Sequence, residues 1–158
     1  MTTFFCTANM AKTLKVALSP STTVPKWSWY LRSFRYQRKK VYLAVHMRTL
    51  FAVSVIDVKG KDVLPALKEK LKLFLDYYGI ENFTADEAFN LDKPEFFKTL
   101  DRRIISTVNR LAMEFEYYMW IEEEEFGPLF MDSALKRMHT NIFTLTDYRK
   151  PLEMILEE

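Results

Sequence analysis

The chain contains 158 residues, of which 49% are hydrophobic and 15% aromatic, and it has one cysteine, Cys6. This composition predicts one globular domain over residues 1–158 and excludes an internal disulfide. No run of about 18 apolar residues is present, and the first residues lack the pattern of a secretory signal. We therefore expect a cytoplasmic protein that has no membrane partner.

The charged residues are distributed unevenly along the chain. The first 56 residues hold nine basic and no acidic residues, whereas the remainder holds 14 basic and 21 acidic residues. The two parts therefore carry formal charges of +9 and −7. Such asymmetry indicates either an acidic partner, nucleic acid included, or two parts of the chain that pack together and neutralise each other.

The first part of the chain is predicted to be mainly β structure. TFFCTA forms a first strand, ANMAKTLKVAL a short helix, and residues 19–25 a loop. WSWYLRSFRYQ, KVYLAVH and TLFAVSVID follow as three strands joined by short turns, which predicts an antiparallel meander. His46 is predicted to be a surface residue at a strand end.

The second part is predicted to be mainly helical. One helix begins near Asp62, a candidate N-cap, and ends at Gly79. Residues 80–98 are rich in phenylalanine but aperiodic, and predict a packed loop with short pieces of structure. A final helix follows Gly127–Pro128 from Leu129, before a docked tail whose candidate anchors are Tyr148, Pro151, Leu152 and Ile155.

The longest helical pattern covers residues 99–120. Its buried stripe repeats at spacings of three and four and comprises Ile104, Val108, Leu111, Phe115 and Met119. The run Glu122–Glu125 is predicted to be a solvated acidic extension of this helix. The whole pattern predicts an α+β fold, in which a small antiparallel sheet of about four strands packs against a long central helix and two or three further helices.

The sequence shows no recognisable catalytic chemistry. His46 and His139 lie far apart, one cysteine cannot form a thiolate site, and three isolated glycines form no phosphate loop. No nucleophile motif is present. We therefore predict no catalytic residue, no metal ligand and no cofactor, and an enzyme with a scattered site is the third of three hypotheses.

The best binding signal is the stretch KWSWYLRSFRYQRKK, residues 26–40. Aromatic side chains stack on unpaired bases while cations neutralise phosphates, and the same residue types form hot spots in protein interfaces. Alternatively, the aromatic residues form the buried face of the sheet and the basic residues its solvated face. The candidate binding residues are Trp27, Trp29, Arg32, Arg35, Arg38, Lys39 and Lys40.

Several short motifs together resemble a small family of bacterial and mobile-element α+β proteins of unknown function. They are the Cys6-Thr7 opening, the Trp29 strand with its Arg38-Lys39 turn, and a block similar to N-R-S-x-x-G-x-x-N at residues 101–109. Arg102 and Asn109 match this block, whereas Asp101, Arg103 and Ser106 depart from it. The resemblance implies the α+β architecture but no activity. We predict a structural role for Arg102 and Asn109, namely hydrogen bonds to a neighbouring segment such as residues 80–98.

Our leading hypothesis is a non-enzymatic interaction or inhibitor protein of phage or mobile-element type that binds a protein partner. The alternative hypothesis is a nucleic-acid-binding domain that uses residues 26–48. A homodimer formed through the sheet edge is compatible with both hypotheses.

Overall fold

The computed structural model describes residues 2–21, 23–99, 101–126, 130–140 and 149–158. The strands are β1 (Thr3–Cys6), β2 (Ser19–Ser21), β3 (Ser28–Tyr36), β4 (Lys39–His46), β5 (Ala52–Ile56) and β6 (Glu95–Thr99). The α-helices are α1 (Ala8–Leu14), α2 (Val63–Tyr78), α3 (Ala85–Ala88), α4 (Arg102–Phe126), α5 (Phe130–His139) and α6 (Pro151–Ile155).

The described strands form one sheet with the order β2-β6-β1-β3-β4-β5. The predicted meander β3-β4-β5 is antiparallel, and the α+β class is confirmed. The prediction of about four antiparallel strands is wrong, because the sheet of the described residues has six strands and is mixed. β1 pairs in parallel with β3 and with β6, and β2 pairs in parallel with β6. A parallel pair needs a long crossover, which residues 7–27 provide between β1 and β3.

Two segments predicted mainly as loops contain regular structure. β2 lies in the predicted loop 19–25, α3 lies in the segment 80–98, where short pieces of structure were predicted, and β6 begins in that segment and ends at Thr99. These elements are only three to five residues long, so they show no periodicity in the sequence. They are formed through long-range partners instead, as in the register pair Ser19↔Phe97.

Helices cover both faces of the sheet. On one face, Trp29 of β3 contacts the ring of Phe89 just after α3, with centroids 5.4 Å apart. On the other face, Phe34 of β3 packs edge-on against Phe115 of α4 at 6.1 Å. The two faces of β3 are therefore both in the core, which explains why the strand alternates poorly between apolar and polar residues.

The predicted central helix is confirmed as α4, and every residue of its predicted apolar stripe is buried. The helix begins where Asp101 accepts hydrogen bonds from the backbone N–H groups of Arg103 (3.0 Å) and Ile104 (3.3 Å). Asp and Asn are equivalent in this capping role. The departure at Asp101 from the asparagine of the family pattern therefore preserves the start of the helix.

The predicted helix after Asp62 is confirmed as α2, and Gly79 ends it with a φ of 65°. Asp62 occupies the N-cap position of α2 as predicted, but its side chain caps no N–H group, and a 3₁₀ turn over residues 60–62 precedes the helix. Pro151 and Ile155 of the predicted tail are buried in α6. The predictions for Gly127–Pro128, Leu129 and Tyr148 fall outside the described residues.

Helix α5 packs on α4 and lies along β5, the last strand of the sheet. The Nε2–H group of His139 donates to the carbonyl of Ala52 at 2.7 Å. Lys70 of α2 binds Asp132 of α5 at 2.7 Å. α5 therefore covers the β5 edge, which would otherwise expose unpaired backbone groups. Within the described residues, no helix combines the length and apolar content needed to cross a bilayer.

Candidate interaction surfaces

The tryptophans of the predicted binding stretch are part of the core. Trp29 is fully buried and donates its indole N–H to the carbonyl of Ala88 at 2.7 Å. Trp27 is 8% exposed and packs against Phe83 with ring centroids 4.7 Å apart. Burial therefore corrects the assignment of Trp27 and Trp29 to a contact surface, because neither ring has a face open to a base or a partner.

His46 lies beneath these two tryptophans and is buried, so its prediction as a surface residue is wrong. Its Nε2–H group donates to the carbonyl of Lys26 at 2.7 Å, and its Nδ1 accepts from the hydroxyl of Thr49 at 2.8 Å. A carbonyl can only accept, so this arrangement fixes the neutral tautomer. Burial lowers the pKa of His46 to about 4, and the nearby cations Arg48 and Lys26 contribute further.

His139 shows the same chemistry at the β5 edge. Its ring stacks on Phe51 at 4.1 Å, and its Nδ1 accepts from the hydroxyl of Tyr78 at 2.8 Å. Burial lowers the pKa of His139 to about 4 as well. Among the described residues, no group of three or more His, Cys, Asp or Glu side chains is placed to hold a metal ion.

The basic residues of the stretch lie outside this core, in the outer part of β3 and in the hairpin that follows. Arg35, Arg38 and Lys39 are exposed. Gln37 and Arg38 both have positive φ values, 47° and 69°, which is the geometry of a two-residue type I′ turn. The turn between β3 and β4 is therefore at residues 37–38, one residue before the Arg38-Lys39 turn of the family resemblance, and Lys39 and Lys40 begin β4.

Two predicted site residues from different motifs meet directly. The guanidinium of Arg32 on β3 donates to Oδ1 of Asn109 on α4. Asn109 therefore holds a neighbouring element as predicted, although that element is β3 and not the segment 80–98. Arg102 is exposed at the first turn of α4.

The hairpin is also attached to α4 through Glu123. Its Oε2 accepts from the hydroxyl of Tyr36 at 2.6 Å and from the side-chain amide of Gln37 at 2.7 Å. Together with the Arg32–Asn109 contact, these bonds fix the outer part of β3 on the helix. The positions of the hairpin cations are therefore set by the fold.

A basic cleft of about 360 Å³ lies between α1 and the outer part of β3. Lys40 extends its ammonium group to the hydroxyl of Thr13 at 3.0 Å and lies over the ring of Tyr42 at 5.5 Å from its centroid. The cleft therefore has positive charge and polar groups on both walls. Its lining residues are Asn9, Lys12, Thr13, Ser33, Phe34, Arg35 and Lys40.

A second surface is apolar and lies on the outward side of α4. Met113, Tyr117 and Trp120 are 70%, 59% and 53% exposed. Together with Tyr36 and Glu116 they line a depression of about 350 Å³. We name Met113, Tyr117 and Trp120 the aromatic face. The sequence analysis did not identify it, although its spacing of four and three residues forms a second stripe opposite the buried one.

The inward side of α4 also carries a charge. Glu122 is 2% exposed, so the prediction that it belongs to a solvated acidic extension is wrong. Its Oε1 accepts from the guanidinium of Arg137 on α5, which also lies over the ring of Tyr118 at 5.8 Å. Its Oε2 has no hydrogen-bond partner among the described residues. This contact joins α4 to α5.

A third depression, about 470 Å³, lies between α2 and α3. Its walls carry charges of both signs, and Lys68 and Asp86 across it form an ion pair at 2.6 Å. The hydrogen bond from Lys68 lowers the pKa of the Asp86 carboxyl group. Its lining holds two basic and four acidic residues, so the depression is acidic on balance.

The mixed sheet between helical layers makes this an α+β fold. Its strand β3 is buried around Trp29, and two surfaces, the basic cleft and the aromatic face, are open to solvent. The chain belongs to the family described as "Domain of unknown function (DUF6933)", whose model matches residues 3–154. The expected resemblance to a small family of unknown function is thereby confirmed. No curated protein matches the chain.

Several solved structures are similar to this chain at low sequence identity. The catalytic core domain of BIV integrase is similar with a TM-score of 0.54 at 14% identity, over 84% of this chain and 95% of that chain. The HTLV-2 integrase catalytic core domain in complex with magnesium gives 0.46 at 10% identity, over 84% and 98%. A simian T-cell lymphotropic virus intasome in complex with PP2A regulatory subunit B56 gamma gives 0.45 at 14% identity, over 87% and 56%. At these identities the likeness concerns the fold alone.

Proposed function

We propose that this protein is a non-enzymatic interaction protein of phage or mobile-element type, which acts in the cytoplasm by occupying, and so inhibiting, the surface of a protein partner. The aromatic face of α4 is the contact surface in this proposal. One observation carries it: three large apolar side chains stand more than half exposed on one side of one helix. Contiguous exposed apolar surface is costly in water and marks interaction sites.

The residue types of the aromatic face suit a hot spot. Tryptophan and tyrosine contribute most to interface energy when they enter a pocket on the partner, and methionine adapts to irregular surfaces. The depression beside Trp120 adds a concave feature for a partner side chain. A surface with both an aromatic projection and a depression can fix the register of a bound partner.

The charges around the aromatic face indicate the chemistry of the partner. From Leu111 to Glu123 the helix contains no basic residue and four acidic ones, of which Glu116 is exposed at the depression. Complementary potentials steer association and exclude wrong partners. On the other side of the depression, Tyr36 lies opposite the exposed Lys39, so the expected partner surface is apolar at its centre and carries charges of both signs at its rim.

The shared fold gives limited support to the mobile-element setting. The BIV integrase catalytic core has the same type of fold, and its activity is not carried over at 14% identity. A second candidate function is nucleic-acid binding by residues 26–48, favoured by the exposed cations of the hairpin. The burial of Trp27 and Trp29 leaves that candidate with phosphate contacts and without base stacking.

The test is a pull-down from the native host with two matched triple variants. The first variant replaces Met113, Tyr117 and Trp120 by serine, and the control replaces Leu73, Tyr77 and Leu156, which are 59%, 62% and 48% exposed elsewhere. We expect the wild type and the control to retain a specific protein and the first variant to lose it.

Retention of the same protein by both variants would contradict the proposal, provided that circular dichroism shows both to be folded. Size-exclusion chromatography of the wild type supplies a second readout. If the partner is another copy of this chain, the first variant elutes later than the wild type and the control does not.

A further inference from the structure

The cleft between α1 and β3 concentrates cations that nothing in the described residues neutralises. Lys12, Arg35 and Lys40 line it, and none of them forms an ion pair with another described residue. The nearest acidic residue along the chain is Asp57, whose backbone N–H donates to the carbonyl of Lys40 at 2.9 Å. The cleft therefore has an uncompensated positive potential.

Two of these cations are held directly opposite each other. Arg35 and Lys40 are register partners in the antiparallel pair of β3 and β4. Directly opposed side chains have Cβ atoms about 5 Å apart, and like charges there destabilise the sheet. Because neither cation forms an ion pair with a described acidic residue, an anion bound between them would relieve this repulsion.

The backbone of β3 adds neutral donors to the cleft. β1 pairs with β3 only as far as Leu31, whose carbonyl accepts from the N–H of Thr7 at 3.4 Å. Because successive residues of a strand alternate their hydrogen-bonding direction, the backbone groups of Ser33 and Arg35 point toward the same open side. Backbone N–H groups, hydroxyls and amides are the usual neutral ligands of phosphate oxygens, and the side-chain amide of Asn9 is a further donor in the lining.

We propose that this cleft binds the phosphate backbone of a nucleic-acid strand. The exposed Arg38 and Lys39 at the hairpin end extend the positive surface beyond the cleft, so it suits a chain of phosphates better than a single one. No exposed aromatic residue lines the cleft, and binding is therefore independent of base sequence. The proposal rests on the second candidate function, nucleic-acid binding by residues 26–48, and locates its phosphate contacts; it does not depend on the protein-binding proposal for the aromatic face of α4.

The experiment measures the fluorescence anisotropy of a labelled oligothymidylate of about 20 nucleotides at about 50 mM salt. The cleft variant carries Lys12→Gln, Arg35→Gln and Lys40→Gln. The matched control carries Lys93→Gln, Arg103→Gln and Lys150→Gln, which are exposed residues with the same change in net charge. We expect the cleft variant to bind at least about 10-fold more weakly than the wild type, and the control to bind within about 2-fold of it.

The salt dependence provides an independent readout. Three phosphate contacts to a single strand give a slope of about −2 in a plot of log K against log salt concentration, and the cleft variant should lose most of that slope. Equal loss in both variants would show that net charge alone is responsible and would overturn the proposal. Absence of wild-type binding, or displacement of the oligonucleotide by inorganic phosphate at an equal phosphate concentration, would overturn it as well.

Discussion

Two aromatic regions of this protein have opposite environments. Trp27 and Trp29, in the stretch that looks most like a binding surface, are buried. Tyr117 and Trp120, in the helix that looks most like a core element, are more than half exposed. The comparison shows that aromatic content alone does not locate a binding surface, because the neighbours of an element decide which of its side chains reach solvent.

The two regions differ because other segments cover β3 on more sides than they cover α4. The inner part of β3, around Trp29, has β1 and β4 beside it and packing segments on both faces, so each of its side chains is buried. α4 has neighbours on only part of its circumference. Its inward stripe meets the sheet and α5, whereas Tyr117 and Trp120 project to the other side.

The largest expected effect is the difference in free energy of unfolding between a tryptophan substitution in the buried region and one in the exposed region. Replacing Trp29 by alanine removes a fully buried ring and leaves the carbonyl of Ala88 without its donor. We expect the free energy of unfolding to fall by about 3–5 kcal/mol, whereas Trp120→Ala should change it by no more than about 0.5 kcal/mol. Urea unfolding followed by circular dichroism measures both values. Equal losses in the two variants would contradict the assigned environments.

The second prediction uses His46 as a probe of the buried region. Burial lowers its pKa from the ordinary histidine value of 6.5 to about 4 in the folded protein, so the unfolded chain binds more protons between these two pH values. The free energy of unfolding therefore rises as the pH increases across this window and decreases as the pH falls through it. From about pH 7 to about pH 5, we expect each such histidine to lower it by about 2 kcal/mol.

The variant His46→Gln isolates this contribution. Its loss of stability on acidification should be smaller than that of the wild type by about 2 kcal/mol, and the remaining loss should include His139. Titration of the ring proton signals by NMR gives the folded pKa directly. A His46 that titrates near 6.5 in the folded protein would show that the region around Trp27 and Trp29 is open to water.

Local patterns predicted the elements that depend on local interactions. The stripe from Ile104 to Met119 predicted α4, Gly79 predicted the end of α2, and the short connections predicted the antiparallel meander. The parallel pairing of β1 with β3 was not predictable in this way, because it joins residues more than 20 positions apart without a local signature. The short strands β2 and β6 were missed for the same reason.

In the candidate surfaces too, the sequence predicted what depends on the residue itself and not what depends on distant segments. The exposure of Arg35, Arg38 and Lys39 agrees with their charge, which strongly disfavours burial. The burial of Trp27, Trp29 and His46 depends on neighbouring segments that the sequence does not identify as neighbours. The aromatic face left a signal, the spacing of Met113, Tyr117 and Trp120, but a second apolar stripe on a helix is consistent with either burial or exposure.

The smallest effect concerns Arg35 of β3, which is exposed while Trp29 of the same strand is buried. Arg35→Glu replaces a like-charged pair with Lys40 by an opposite-charged pair, and should raise the free energy of unfolding by about 0.3–0.5 kcal/mol at low salt. Lys39→Glu makes the same charge change opposite Tyr36 and is the control. Salt should stabilise the wild type by screening the repulsion and should not stabilise the variant.

A gain in stability accompanied by loss of oligonucleotide binding would show that the opposed cations are retained for binding at the expense of stability. If the free energy of unfolding of Arg35→Glu is no higher than that of Lys39→Glu, Arg35 and Lys40 do not repel each other measurably in the free protein.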